Sequence, residues 1–586
     1  MRNLKKRFLA LLVAAALVVA LAGTASAAAS APKGTPIIMV GGFTSTRLYE
    51  HPASGARVRV WNDAMDGVGG ALLGELPGLL GGVLLWMLTG CTGVASRAFE
   101  RAVRGVLGQF AMGPGGRPAR DVGPYPGGAA AFSCGRIWRD YPELGQLDGL
   151  CRRLAEGFPA DRIFVFQYDW RNSTLESVRR LRKFIREVKA LTGSKTVRLF
   201  GESYGGQICG VYLAQYAQEG DVSKAVLEIP ALGGTSLLPS LLRDKEFHVN
   251  AGSAAEMALA YSQMEGAPSL GFPLGLLPQS LLAPLASDLV LGGLLPNMIT
   301  WGNLWDLIPA NAYEATKAAM LAPGEHPVWE ADSDRLHREI MPKIGASLRK
   351  AQEKYGVAVR IVACTGNLLV FGEERVNGDG LLDVQYTTGA KALPLGEHSL
   401  IQSGTVCATP AHRHLSPGQD IDAAAAWLPE NTWFVQGLFH GVGEADPYAL
   451  ALETALLLDP KLATVYDDAR YPQFGLSRHP NGDIYARFDR SQIGFVGKKD
   501  RELRIENLAR KHNVRILSVS APQSGLCFSV DSKTMLAPGE MLRVPFSGAL
   551  PQKGSYAPVT VAYLLTGTEG ASVPVVKSKT FDISAR

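Results

Sequence analysis

The sequence predicts an α/β fold built on a parallel sheet, followed by a separate all-β module, and three observations carry that expectation. Between Ile37 and Leu457, outside the irregular stretches 64–160 and 236–330, apolar strand-like runs alternate with amphipathic helical segments, as a sheet with helical crossovers demands. Residues 197–206, VRLFGESYGG, run strand-formers straight into a glycine-flanked serine and then into a periodic apolar segment. From about residue 490 the pattern changes to short alternating runs separated by turn residues. A chain of 586 residues has room for one large domain and a smaller second one.

Arg2, Lys5, Lys6 and Arg7 precede an apolar run from Phe8 to Ala22 and the small residues Ala25-Ser26-Ala27. This is the layout of a secretory signal over residues 1–27, with cleavage after Ala27. The run is shorter than the roughly 20 residues that span a bilayer, so a secreted or cell-surface protein is expected. Losing the four basic residues takes the formal charge from +5 to +1. No Lys/Arg face interleaved with aromatics is present, and nucleic acid is not an expected partner. Seven cysteines make an odd count, with no C-x-x-C pair, which excludes a zinc ribbon or a thioredoxin-type site. Cys134 and Cys151 flank a short segment and could be bridged; Cys209 reads as a small buried hydrophobe.

Taken in order, the first strand is Pro36–Val40, emptying into Gly41-Gly42-Phe43-Thr44-Ser45. A strand that ends in glycines suits a loop whose backbone N–H groups must approach a reacting oxygen. A strand follows at Ile163–Phe166, then Tyr168-Asp169-Trp170-Arg171 and Ser173-x-x-Glu176, a capping box. The helix it opens places Leu175, Val178, Leu181, Ile185 and Val188 on one face. Next comes the strand Val197–Phe200 with Gly201-Glu202-Ser203-Tyr204-Gly205. G-x-S-x-G between a strand and a helix is a nucleophile elbow, whose strained turn needs small neighbours. The fold class is therefore an α/β-hydrolase. Two N–H groups would hold the oxyanion, those of Phe43 and Tyr204. A further strand, Ala225–Ile229, ends in Pro230-Ala231-Leu232-Gly233-Gly234-Thr235.

PIIMVGGF, YDWR before a capped helix, the G-x-S-x-GG elbow and PALGGT stand here in one order. In this the chain resembles the lecithin:cholesterol acyltransferase and lysosomal phospholipase A2-like family of α/β-hydrolases, over about residues 36–455. YDWR is the most specific piece. The family commonly has proline where Gly41 stands and histidine where Glu202 stands. The resemblance implies a lipid or acyl-ester substrate, and a cap over the active site formed by an insert after the post-elbow strand.

Two inserts fit apolar cap or lid roles within a catalytic domain of residues 30–460. One is a lid at about 64–160, with the glycine-rich apolar stretch 67–91. The other is a cap at about 236–330, with the proline-broken stretch 270–297. Both stretches hold Leu beyond what a sheet-covering helix needs, so transient contact with a membrane surface is expected. Internal packing is the plainer reading of the same composition.

After a helix over Asp334–Tyr355 and a strand over Val357–Cys364, the loop Asn377-Gly378-Asp379-Gly380-Leu381-Leu382-Asp383 offers two chemistries. A calcium loop would place Arg375 and Tyr386 at ligand positions one and twelve, where oxygen ligands are required, so no metal or cofactor is expected. In the resembling family a G-D-G-T-V loop carries the triad acid, which implies Asp379, with Asp383 as the fallback. Of His398, His412, His414, His440 and His479, only His440 lies between a strand, Thr432–Val435, and a helix, 446–457. His412 and His414 read as surface histidines. The order Ser203, Asp379, His440 is that of α/β-hydrolases. Seven short strands from QIGFV to VPVVKSKTFDI suggest an immunoglobulin-like β-sandwich over 490–586.

The expected activity is that of a serine lipase, phospholipase or O-acyltransferase working through an acyl-enzyme. GESYGG is also close to the GESYAG elbow of serine carboxypeptidases, but the GGPG-type loop is missing after the first strand. A non-catalytic adhesion or binding protein is the remaining alternative.

Overall fold

The computed structural model describes residues 34–50, 58–59, 97, 108–113, 116–244, 257, 295–322, 325, 327–370, 376–394, 401, 412, 414–416, 420–477, 484–488, 495–496, 500–507, 512–522, 524–537, 540–549, 556–567 and 574–585. The expected signal segment, the apolar stretch 67–91 and residues 270–294 of the stretch 270–297 lie outside them, as do His398 and His479. No described helix is long and apolar enough to cross a membrane.

The centre is a seven-stranded sheet. In chain order its strands are β1 (Ile37–Val40), β2 (Ile163–Val165), β3 (Val197–Glu202), β4 (Val222–Glu228), β5 (Ala358–Thr365), β6 (Thr432–Gln436) and β7 (Phe474–Leu476). Across the sheet they run β7-β6-β5-β4-β3-β1-β2, and every pairing is parallel. β1 and β2 are buried along their whole length, as strands covered on both faces must be.

The helices follow the sequence closely. α1 (Thr174–Thr192) begins where Ser173 Oγ accepts the Glu176 N–H, and it buries Leu175, Val178, Leu181, Ile185 and Val188. The Glu176 carboxylate does not reach back to close the capping box; it accepts from Arg179 and Arg180 at 2.9 and 2.8 Å. α2 (Tyr204–Tyr216) follows the elbow and is buried over its first ten residues. The expected long helix over 334–355 is broken into pieces, because Pro342 cannot donate to the helical ladder. A short helix, Glu330–Arg335, passes into a π turn and a 3-10 turn before α3 (Ile344–Glu353). α4 (Pro447–Leu458) starts at Asp446, whose side chain caps Tyr448 and Ala449.

Other differences are local. β7 is a three-residue strand at the sheet edge, too short for a propensity pattern. Cys134 and Cys151 are both buried free thiols rather than a disulfide, and the Cys151 Sγ lies 3.7 Å from the Gln146 carbonyl. Cys209 is fully buried, as expected.

The C-terminal part forms a four-stranded and a five-stranded sheet. Pairing is antiparallel except where Phe495–Val496 runs parallel to the last strand. Leu503 and Ile505 of one sheet share an apolar core with Val514, Ile516, Val559, Val561 and Tyr563 of the other. The period of two puts one face of each strand inward. Two additional strands, Ile484–Phe488 and Met535–Leu536, join the seven read from the pattern.

Candidate active site

From β1 the chain passes to β2 at the sheet edge, and it then returns to β3 on the other side of β1. Ligand crevices in such sheets lie outside the carboxyl ends of the strands at this reversal. Here those ends are Gly41–Gly42 after β1 and Ser203 after β3.

Ser203 has φ 56° and ψ −120°, a conformation costing on the order of 1–3 kcal/mol for a residue with a side chain. The neighbouring packing imposes it. A Cβ on Gly205 would stand 2.1 Å from the Val40 carbonyl oxygen and 2.6 Å from that of Gly41. On Gly206 it would meet Pro230 at 2.6 Å, and on Gly201 the Gly205 oxygen at 2.7 Å. The Ser203 N–H donates to the Glu228 carbonyl and its own carbonyl accepts from Ala231. Gly205→Ala is therefore expected to be severely destabilising, since backbone carbonyls on β1 cannot yield. Soluble yield and melting temperature check this; a variant melting within about 1 kcal/mol of wild type would mean that the elbow is looser than described.

Ser203 Oγ lies 2.8 Å from His440 Nε2, and His440 Nδ1 lies 2.8 Å from Asp379 Oδ2. An ionised carboxylate only accepts, which puts the ring proton on Nδ1 and turns the Nε2 lone pair to the serine. The second oxygen, Oδ1, accepts the N–H groups of Leu381 and Leu382 at 2.9 and 2.7 Å, and the His440 N–H donates to the Asp379 carbonyl at 2.8 Å. Gly380, at φ +100°, makes the turn that aims the acid. Asp383 is occupied elsewhere: its oxygens accept from the N–H and the hydroxyl of Ser236. His414 is buried and His412 partly so, against the expectation of surface histidines; both join a separate cluster with Glu430.

Of the two expected oxyanion residues, Phe43 follows Gly42 in the loop after β1 and Tyr204 directly follows Ser203. Tyr204 opens α2, and the first N–H groups of a helix have no partner within it. Gly42 packs against Ser203, since a Cβ there would be 3.0 Å from Ser203 Cβ. The Gly42 N–H is turned away to Glu202 Oε2 at 3.3 Å. The YDWR segment explains itself here. Tyr168 donates its hydroxyl to the Gly41 carbonyl at 2.7 Å, and Trp170 Nε1–H donates to the Thr46 carbonyl at 2.9 Å. Arg171 is buried against Asp169 at 2.7 Å and donates to the carbonyls of Phe110 and Val122. Phe43 is fixed by edge contact with Trp170 and by Trp301. The motif was conspicuous in the sequence; its task of bracing the loop 41–46 was not.

Burial disfavours the His440 imidazolium, yet the charge and hydrogen bond of Asp379 and the charge of Glu202 outweigh it, so the histidine titrates above its ordinary 6.5. Burial in turn raises Glu202, against the pull of His440 and the Gly42 N–H. The neutral imidazole is the form that can accept a proton, so activity should rise with pH through a midpoint above 6.5. Glu202→Gln keeps an acceptor for Gly42 and removes a negative charge that favours imidazolium. Its acid limb in a kcat/KM–pH profile should lie at lower pH than wild type. An unmoved or upward midpoint would remove Glu202 from the electrostatics of the site.

The described parts of the 236–330 insert are helical and line the acid loop. Leu237, Leu238, Leu241, Leu304 and Trp305 form an apolar cluster with Leu369 and Val370, against which Leu381 packs.

No protein-family profile and no curated protein matches the chain. Among solved structures, the chain is similar to phospholipase PlaB from Legionella pneumophila, with 10% identity over 74% of this chain and 88% of that one, TM-score 0.27. It is similar to a lipase-esterase related protein from Clostridium acetobutylicum, with 12% identity over 33% of this chain and 88% of that one, TM-score 0.15. A third likeness is to native alpha-2-macroglobulin from Escherichia coli, with 22% identity over 18% of this chain and 16% of that one, TM-score 0.14.

Proposed function

We propose that this chain is a secreted serine hydrolase of the α/β-hydrolase class, acting on carboxylic esters of lipids. The observation that carries the proposal is the hydrogen-bonded series from Ser203 Oγ through His440 to Asp379, set on a strained elbow beside a braced glycine loop. Ser203 Oγ attacks the ester carbonyl while His440 Nε2 takes its proton. The oxyanion that forms is met by the N–H groups of Phe43 and Tyr204. As the tetrahedral intermediate collapses, His440 returns the proton to the leaving alcohol and an acyl-Ser203 ester remains. Asp379 keeps the ring oriented and steadies the imidazolium throughout. Water as the second nucleophile gives a lipase or phospholipase; an alcohol gives an O-acyltransferase, by the same steps.

A lipid ester is favoured over a soluble one by the Leu/Trp cluster beside the acid loop and by the apolar stretches 67–91 and 270–297 of the sequence. Export rests on the layout of residues 1–27. The C-terminal sheets are read as an immunoglobulin-like module that positions the enzyme or binds, with no role in the chemistry.

The test has two parts. A fluorophosphonate should label Ser203 stoichiometrically in the folded protein; absence of labelling would favour a binding protein. Hydrolysis of one long-chain ester is then followed across its critical micelle concentration, with glycerol or sterol acceptors added. A rate that stays flat across that point assigns a soluble ester instead.

A further inference from the structure

At the opposite end of β6 from His440, three potential metal ligands converge. His412 Nδ1 lies 2.9 Å from Glu430 Oε1. One donor atom from each of His412, His414 and Glu430 falls within 4.8 Å of the others. Glu430 sits on the 3-10 turn Pro429–Asn431 that leads into β6. β6 has five residues and rises about 3.3 Å per residue, so the cluster stands well away from the Ser203 site.

We propose that His412, His414 and Glu430 form a binding site for zinc or a similar first-row divalent cation, with a stabilising role. The donor set is of the kind zinc takes, two imidazoles and one carboxylate, with a fourth position left over. Donors around a tetrahedral zinc at about 2.0–2.2 Å are separated by about 3.3 Å. The His412–Glu430 pair, at 2.9 Å, is already closer than that, and no spacing within the 4.8 Å limit has to close by more than about 1.5 Å.

The surroundings are organised in the way metal-binding histidines require. His414 Nδ1 lies 2.8 Å from Gln473 Oε1. The Gln473 amide is oriented by donating Nε2–H to the carbonyls of Pro429 and Thr432 at 2.7 and 3.1 Å. Its oxygen therefore faces the ring, the proton is held on Nδ1, and Nε2 keeps its lone pair for a cation. Such outer partners fix tautomer and ring orientation in metal sites. His412 stacks on Tyr466 with centroids 3.9 Å apart, and the Tyr466 hydroxyl is 3.2 Å from His414 Nε2. It can serve as the fourth ligand or hydrogen-bond a bound water there. On binding, His412 gives up its Nδ1 position to the metal and carries its proton on Nε2.

The ion would tie three separate pieces of chain: the 412–416 segment, the turn before β6, and the loop bearing Tyr466, whose neighbour Val465 donates to the Glu430 carbonyl. Binding to the folded form alone raises stability by mass action.

The full-length protein is stripped with chelator, dialysed against zinc chloride and then metal-free buffer, and its zinc counted by mass spectrometry. His412→Ala and Glu430→Gln, both at partly exposed side chains, are treated alike. One zinc more per chain in wild type than in either variant, with a zinc-dependent rise in melting temperature only in wild type, is expected. Equal zinc content and equal thermal shifts would overturn the site and leave His412–Glu430 a side-chain contact only. Should a variant fail to fold, the cobalt-loaded wild type decides: intense visible bands of a four-coordinate ion support the site, and the weak spectrum of hydrated cobalt sinks it.

Discussion

Ser203→Ala should lose ester turnover by at least four orders of magnitude while the protein stays folded. Removing the nucleophile of such a triad leaves only binding and oxyanion contacts, and losses of about 10⁴–10⁶ in kcat are typical. The fold should survive because the backbone at 203 is held by bonds to Glu228 and Ala231, while Oγ bonds to the His440 ring. Alanine also retains the φ/ψ problem of serine without adding bulk. The measurement is initial rate on a long-chain ester beside a thermal melt. A variant that keeps more than about a tenth of the activity would place the nucleophile elsewhere, whatever the geometry at the elbow.

Asp379→Asn should cost on the order of 10⁴ in kcat, and Asp383→Asn far less. Asparagine at 379 can turn its NH₂ to His440 Nδ1. The ring would then carry its proton on Nε2, where it cannot accept from Ser203. The carboxylate that steadies the imidazolium is gone as well. Asp383→Asn removes an acceptor from Ser236, a change felt as stability between the insert and the acid loop. Kinetics and melting temperature of the two variants should therefore separate: one slow and stable, the other active and less stable. The reverse pattern would move the acid to Asp383.

The carboxylates beneath the site show what a linear reading cannot weigh. Glu202 and Glu228 face each other across β3 and β4. Glu228 and Glu453 are both buried, and burial pushes both well above the ordinary glutamate range. In the sequence these three lie in separate segments, and nothing local shows that they share one buried region.

Much of the sheet was legible because it obeys local rules. Apolar runs at β1 to β6 and the Ser173 cap each need only neighbours within a few residues. The elbow was legible for the same reason: a strand, a glycine-flanked serine and a helix are contiguous. The His440 setting, a strand before and a helix after, was likewise contiguous. Pro342 breaking a helix was also local, and the periodic apolar pattern around it hid the break. β7 was not legible, because three edge residues gain their pairing from β6 and carry little signal of their own.

What the sequence determined by itself, then, is the order of strands and helices and the residue types at the elbow and in the acid and histidine loops, since backbone propensity and side-chain period act over short range. The tertiary structure decided which acid meets His440, because Asp379 and Asp383 are four residues apart and only the turn at Gly380 and the bond to Ser236 separate their fates. It also decided that Tyr168 and Trp170 brace the glycine loop, and that His412, His414 and Glu430 converge. Those contacts join residues far apart in the chain, and their geometry follows from how the sheet places its strand ends in space.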